Sequence, residues 1–297
     1  MSIPENLASL NDALAAASVG QDVPCRRCGY NLRGLPLLSR CPECGTAVGV
    51  SVHGDLLRYS DPQFVTTLHK GVRLMLWSIL VTVIGIVALL VTNMINRSAG
   101  LSFGARMLPL AGSVLNVIGA WLLTTPDPSG IGEDRYGTAR KVIRFSLGAA
   151  VLNDIINFEG QVAVPPAVYM VLQVVGGLSA VAGLVGLFAQ LHYLEKLATR
   201  LPSDALSDRS RRIKWGLSIA YAVGISFGLL ATALSRRAGA PASIALGGGC
   251  VAGLAMVAAL VYGIMYLFLL LNFGRALAEQ TALALRNWSS DQPSSAA

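Results

Sequence analysis

The feature that most restricts the fold of this chain is a series of long apolar stretches. Of its 297 residues, 54% are hydrophobic and 13% are charged, and the mean hydropathy is +0.59. One soluble core cannot bury so much apolar surface, whereas about 20 apolar residues in a helix cross a hydrocarbon layer of roughly 30 Å. The candidate spans are residues 72–95, 107–125, 142–159, 164–190, 214–234 and 242–271. The sequence therefore predicts a mainly α, polytopic membrane helix bundle.

The distribution of basic residues decides whether the weakest stretch, 142–159, crosses the membrane. This stretch is short and contains Asn153, Asp154, Asn157 and Glu159. If it does cross, most of the 23 Lys and Arg residues lie on one side, and the outer loops keep only Arg97, Arg106, Arg236 and Arg237. If it does not, the basic residues divide almost evenly. Because cytoplasmic loops are enriched in Lys and Arg, we predict six spans in the inner (cytoplasmic) membrane, with both termini in the cytoplasm.

Two matched cysteine pairs precede the first apolar stretch. Cys25 and Cys28 form one C-x2-C motif, Cys41 and Cys44 form a second, and a glycine follows each motif. Four thiolates at this spacing suit a tetrahedral zinc ion, and a glycine permits the tight turn that each pair needs. We predict a small zinc ribbon, with zinc as a structural cofactor bound by all four cysteines. The fifth cysteine, Cys250, is expected to be a small buried apolar residue.

The order of these features divides the chain into five parts. Ser60-Asp61-Pro62-Gln63 has the spacing of a helix N-terminus, and the helix that it starts lies at the membrane interface or extends the first span. The predicted parts are an N-terminal tail or short amphipathic helix (1–21), the zinc ribbon (22–48), a linker with this candidate interfacial helix (49–71), the six-span bundle (72–271), and a cytoplasmic helix with a disordered tail (272–297).

Polar residues inside the candidate spans are the second candidate site. They are Asn116, Asn153, Asp154, Asn157 and Gln173. Buried amides commonly hold membrane helices together, and we favour that interpretation over a transport path. Asp154 is ionisable, and its nearest plausible cation is Arg106 at the outer start of the second span, so we expect these two residues to form a pair.

The sequence around the cysteines also resembles that of a known group of proteins. The string Cys28-Gly29-Tyr30-Asn31-Leu32-Arg33-Gly34-Leu35, followed by Arg40-Cys41-Pro42-Glu43-Cys44-Gly45, resembles the ribbon of bacterial multi-pass membrane proteins that have no established activity. The resemblance covers about the first 50 residues and implies zinc binding by the four cysteines. It implies no catalytic residue, and a ribbon alone does not identify a function.

No motif for nucleophilic catalysis or nucleotide binding occurs, so we predict that the protein is not an enzyme. The ribbon has a basic face with little aromatic interleaving, formed by Arg26, Arg27, Arg33 and Arg40. Its expected partners are membrane lipid and a cytoplasmic protein, and nucleic acid is disfavoured. We predict an integral membrane adaptor or scaffold. The alternatives are a transporter or channel that uses the polar cluster around Asp154, and a membrane-bound metal or redox sensor. The oligomeric state stays open.

Overall fold

The computed structural model describes residues 17–95, 99–128, 133–159, 165–202, 204–235 and 242–289. Within these ranges the chain is mainly helical and contains no β-strand. The α-helices are α1 (Val48–His53), α2 (Pro62–Ile95), α3 (Ala99–Leu123), α4 (Glu133–Glu159), α5 (Pro166–Ala198), α6 (Asp204–Ser235) and α7 (Ala242–Ser289), and a 3-10 turn spans Leu57–Tyr59. The predicted N-terminal helix or tail lies largely outside the described residues, as does the extreme C-terminal tail.

Among the described residues, three helices are long and apolar enough to cross a membrane. The candidate spans are Pro62–Thr92, Val174–Ala198 and Gly253–Arg286, and Met107–Leu123 is a shorter apolar helix. Large apolar side chains are exposed along these helices, including Leu90, Leu178 and Leu254. A lipid environment accommodates such a surface, whereas water does not. These features suggest a membrane protein, while the number of six spans stays a prediction.

The long helices pack in chain order as three helical hairpins. Each hairpin joins two consecutive helices, α2 with α3, α4 with α5, and α6 with α7. Helix α7 also packs against α2, which brings the last helix of the chain beside the first. Because α2 is continuous from Pro62 to Ile95, the helix that starts after Asp61 is the beginning of the first long helix. The Asp61 carboxylate caps this helix by accepting a hydrogen bond from the Gln63 amide at 2.8 Å.

The packed core lies at one end of the bundle, which we call the ribbon end because α2 leaves the N-terminal module there. Its fully buried side chains include Leu57, Leu68, Met75, Leu123, Ile143, Leu194, Ile213, Leu269 and Phe273. Leu57 belongs to the 3-10 turn, so the linker is part of this core. Towards the other end of α2, Val87, Leu90 and Met94 are exposed. The described bundle is therefore closely packed at the ribbon end and more open beyond it.

Glycine brings α2 and α3 into backbone contact, which gives a first prediction. A Cβ atom on Gly71 would lie 2.7 Å from the Gly119 carbonyl oxygen and 2.7 Å from the Leu123 nitrogen. Backbone cannot move aside as a flexible side chain can, so Gly71→Ala should destabilise the bundle by about 1–3 kcal/mol. Gly148→Ala on α4 is the matched control, because its Cβ would meet nothing within 4 Å. Thermal unfolding in detergent measures the difference, and equal melting temperatures for the two variants would contradict the close approach.

Candidate functional site

The two cysteine pairs lie in knuckles with the same backbone geometry. In the first knuckle, the Cys25 amide donates to the Tyr30 carbonyl at 2.8 Å, and the Gly29 amide donates to the Cys25 carbonyl at 2.9 Å. The second knuckle repeats both bonds, at the same distances, with Cys41, Thr46 and Gly45. Gly29 and Gly45 have φ angles of 79° and 70°, a region that glycine enters without a steric cost. The glycines therefore close the turns that present the sulfur atoms.

The sulfur atoms of the two knuckles converge on one point. The Sγ atoms of Cys25, Cys28, Cys41 and Cys44 lie within 4.8 Å of one another. Across the knuckles, the Sγ atoms of Cys25 and Cys44 are 3.6 Å apart, and those of Cys28 and Cys41 are 3.5 Å apart. Four sulfurs around a zinc ion at about 2.3 Å would be about 3.8 Å apart. The four residues thus fit a tetrahedral metal ion, and a full set of four thiolates leaves no coordination position for a substrate or catalytic water.

The thiols differ in their ease of deprotonation. A hydrogen bond with the Thr46 side chain, helped by the Thr46 backbone, lowers the pKa of the Cys44 thiol to about 6. The Tyr30 backbone lowers the pKa of Cys28, but desolvation and hydrogen bonds with the other three thiols outweigh it and raise that pKa to about 12. A metal ion must displace the remaining thiol protons, so its affinity should fall as the pH falls.

A small apolar cluster surrounds the cysteines. Cys25 and Cys41 are buried together with Val19, Leu32, Leu37 and Val48. Val19 is tied in by its backbone, since its amide donates to Leu35 and its carbonyl accepts from Gly34. Residues 17–48 therefore form one unit, which we call the N-terminal module. Its core is separate from that of the bundle and too small to account for a stable fold without another contribution.

The second knuckle faces the bundle through α1. Gly49 lies against the Tyr59 ring so closely that a Cβ atom there would be 2.5 Å from the ring carbon Cε1. His53 stacks on the same ring, with 6.0 Å between the centroids. The Arg26 amide also donates to the Ser51 hydroxyl at 3.2 Å. The 3-10 turn that carries Tyr59 thus provides a platform for the module at the ribbon end.

A buried arginine holds this platform to the bundle. The Arg200 side chain is 5% exposed, and its Nη2 donates to the Asp127 carboxylate at 2.8 Å, to the Asp55 carboxylate at 2.5 Å and to the Ser60 hydroxyl at 3.2 Å. Its carbonyl accepts a bond from the Leu57 amide at 3.2 Å. One side chain therefore connects the linker, the loop after α3 and the end of α5.

The sequence contained no direct signal for this network. Arg200, Asp127 and Asp55 lie in three separate segments, and each of these charges alone is typical of a cytoplasmic loop. Burial raises the pKa of the Asp55 carboxyl, and the Arg200 charge opposes that rise. The proline on each side of Asp127 was the available clue, since two prolines restrict the loop that holds the carboxylate.

A second buried ion pair joins α5 to α6 at the same end. Glu195 accepts from Lys214 Nζ at 2.6 Å and from Arg211 Nε at 3.0 Å. The Glu195 and Lys214 side chains are both nearly buried. Tyr193 adds a bond between α5 and α3, since its hydroxyl donates to the Leu123 carbonyl at 3.0 Å. These contacts connect neighbouring helices within the packed core.

The structure describes the side chains of only two of the six polar residues that were predicted as a second site. Asp154 accepts a hydrogen bond from the Ser113 hydroxyl, a partner that the sequence interpretation missed. Asn116 lies one helical turn further along α3 and lines a cavity. Side chains of the other four candidates, Arg106, Asn153, Asn157 and Gln173, lie outside the described residues. The pairing of Asp154 with Arg106 therefore stays a prediction.

The cavity that Asn116 lines has a volume of about 270 Å³ and lies among α2, α3, α5 and α7. Its polar lining residues are Ser78, Thr82, Ser113, Asn116, Gln190 and Tyr266. The Gln190 amide nitrogen donates to the Tyr266 hydroxyl at 3.1 Å.

A smaller cleft of about 160 Å³ separates the second knuckle from the linker and includes Arg27, Arg40, Asp55 and Asp61.

Comparisons with known proteins do not extend this description. No protein-family model, curated protein or solved structure matches the chain. Four cysteines in a metal-binding geometry and several apolar helices are therefore established, and no family is identified. Cys250 corrects one expectation, because it is exposed on α7 and not buried. A helix that faces lipid exposes apolar side chains, so hydrophobicity did not predict burial there.

Proposed function

We propose that this protein is an integral membrane adaptor whose zinc ribbon recruits a cytoplasmic protein to the membrane. Cys25, Cys28, Cys41 and Cys44 would bind one zinc ion, which folds and stiffens the ribbon. The helices would anchor it in the inner membrane with six spans and both termini in the cytoplasm. Zinc has a structural role in this proposal, because four thiolates complete its coordination.

The observation that carries this proposal is the exposed basic surface of the first knuckle. Arg26 and Arg27 border the linker, since the Arg26 amide bonds to Ser51 and Arg27 lines the cleft beside Asp55, whereas the structure describes no contact of the Tyr30 or Arg33 side chain with the linker. Arg26, Arg27 and Arg33 are exposed there, and Tyr30 is 40% exposed. Arg33 forms an ion pair with Asp22 at 3.5 Å. A rigid, basic surface with an exposed aromatic residue is suited to a protein partner.

Copurification from native membranes tests this proposal. We expect the wild-type protein to recover a partner, and Arg33→Glu combined with Tyr30→Ala to reduce that recovery by about tenfold or more, because a loss of about 1.4 kcal/mol lowers affinity tenfold. Photo-crosslinking from position 30 should identify the same partner.

The matched control is Arg209→Glu combined with Arg212→Glu. These two exposed arginines lie on α6, so the control alters charge elsewhere on the protein. Equal recovery from the wild type, the knuckle variant and the control would contradict the adaptor proposal. Copurified nucleic acid or lipid in place of protein would also contradict it.

Two alternatives predict different results. A transporter or channel is supported by the polar cavity next to Asp154, and substrate flux in reconstituted vesicles would favour it. A metal or redox sensor is supported by the exposed Cys28, and zinc release at physiological oxidant levels would favour it.

A further inference from the structure

The polar cavity begins where the core of the bundle ends. Met75 lies on its lining and is also part of the core, with 1% of its surface exposed. Ser78 and Thr82 line the cavity about one and two helical turns further along α2, inside a candidate membrane span. The volume of about 270 Å³ is ample for an ion with several water molecules. The packed core therefore borders the cavity on the side that faces the ribbon end.

Apolar side chains such as Ile79, Val83 and Leu187 form part of the cavity wall, and six other lining residues carry an oxygen atom in their side chain. Gln190 uses its amide nitrogen to bond the Tyr266 hydroxyl, which leaves its amide oxygen as an acceptor. Among the residues that the structure describes, no side chain bonds to the Thr82 hydroxyl or the Asn116 amide. Unpaired polar groups inside a membrane protein require water or a ligand. Hydroxyl and amide oxygens are ligands that hard cations prefer.

A carboxylate is hydrogen-bonded to one of the lining residues. Ser113 lines the cavity, and its hydroxyl donates to the Asp154 carboxylate, so that carboxylate adjoins a lining residue. The lining residues include no Lys, Arg or His. A carboxylate within a membrane is costly unless another charge or water compensates it. One carboxylate balances one positive charge, whereas divalent ions such as Ca²⁺ are usually held by several carboxylates.

We propose that this cavity binds one hard monovalent cation of the sodium type. Oxygen atoms of Thr82, Ser113 and Asn116 are its direct ligands, and Asp154 supplies the balancing charge through Ser113. The site is independent of the zinc module and of the proposed adaptor role. Its occupation should tie α2 to α3 beyond the packed core and stabilise that part of the bundle.

Equilibrium binding of radioactive sodium to the full-length protein in nanodiscs tests the site. The wild type should bind one sodium ion per chain, and its melting temperature should be higher in sodium chloride than in choline chloride. Thr82→Val should weaken binding by roughly 10–100-fold, the range typical for lost groups around a metal. Asp154→Asn should abolish binding.

Thr92→Val is the matched control, since Thr92 lies on the same helix and its hydroxyl donates to the Leu89 carbonyl of that helix. This variant should bind sodium as the wild type does. If Asp154→Asn fails to fold, Thr82→Val and Asn116→Ala decide the result.

Three outcomes would overturn the proposal. The first is that the wild type shows no saturable sodium binding, as expected if Arg106 already neutralises Asp154. The second is that Thr82→Val binds as tightly as Thr92→Val. The third is that calcium displaces sodium at equal concentration, which would indicate a divalent site. Loss of zinc through a cysteine variant should leave sodium binding unchanged, so this test is separate from that of the adaptor.

Discussion

Cys41→Ser should abolish zinc binding and unfold the N-terminal module while the helix bundle stays folded. The module has only a small apolar cluster, and structural zinc contributes roughly 10–16 kcal/mol of apparent binding free energy in comparable small domains. The bundle should survive because its core shares no residue with that of the module. Metal analysis should give one zinc per chain for the wild type and none for the variant, and limited proteolysis should cut the variant within residues 17–48.

Cys250→Ser is the control for this experiment. It makes the same chemical change at the exposed cysteine outside the cluster, and it should keep the zinc and the protease resistance. Zinc affinity should also fall on acidification, because the thiols must release protons to bind the metal. A wild-type protein that contains no zinc, or that shows the colour of an iron–thiolate centre, would refute the assignment.

Arg200→Ala should destabilise the ribbon end by about 3–5 kcal/mol, the cost of leaving buried charges without their partner. Asp127 would lose its ion pair while it stays nearly inaccessible to water. Asp55 would lose the charge that opposes the rise of its pKa. Thermal or denaturant unfolding in detergent measures the loss. Protease cleavage near residues 55–60 should increase although the zinc stays bound, which distinguishes this variant from Cys41→Ser.

The pH dependence of the Arg200→Ala variant has a definite sign. A raised pKa means that the folded state disfavours the charged carboxylate, so ionisation of Asp55 costs stability as the pH rises through that pKa. Without Arg200 this cost increases. The loss should therefore be largest near neutral pH and should shrink as acid protonates Asp55.

Arg209→Ala is the matched control for Arg200→Ala. Arg209 is exposed on α6, so its removal should change stability by less than about 0.5 kcal/mol. The combination of Arg200→Ala with Asp127→Ala should cost less than the sum of the two single variants, because the residues share one interaction. Equal melting temperatures for Arg200→Ala and Arg209→Ala would contradict a structural role for the buried network.

Together these variants separate the two steps that give the module its position. We expect metal binding to determine whether residues 17–48 fold, and Arg200 to determine whether the linker stays attached to the bundle. A partner that needs only a folded ribbon would tolerate Arg200→Ala. A partner that also contacts the bundle would not. Copurification with the two variants therefore shows which surface the partner recognises.

The sequence by itself determined the features that depend on local spacing. Each C-x2-C-G motif sets the geometry of its own knuckle, because the bonds involved join residues at most five positions apart, such as Cys25 and Tyr30. The start of α2 was also predictable from the sequence, since the Asp61 side chain caps the helix by bonding to Gln63, two residues further along the chain. Long apolar runs predicted the long helices, because a helix satisfies its backbone hydrogen bonds within itself.

Only the tertiary structure decided which distant polar groups meet. Arg200 and Asp127 are separated by 73 positions, and Ser113 and Asp154 by 41. A charge or hydroxyl in the sequence indicates that a partner is needed but contains no information about which helix supplies it. Burial was also decided at this level, as Cys250 illustrates, because an apolar residue in a membrane can face either lipid or another helix. The geometry of each knuckle is thus determined by the spacing of its residues, whereas the Arg200 network that holds the linker depends on how the helices pack.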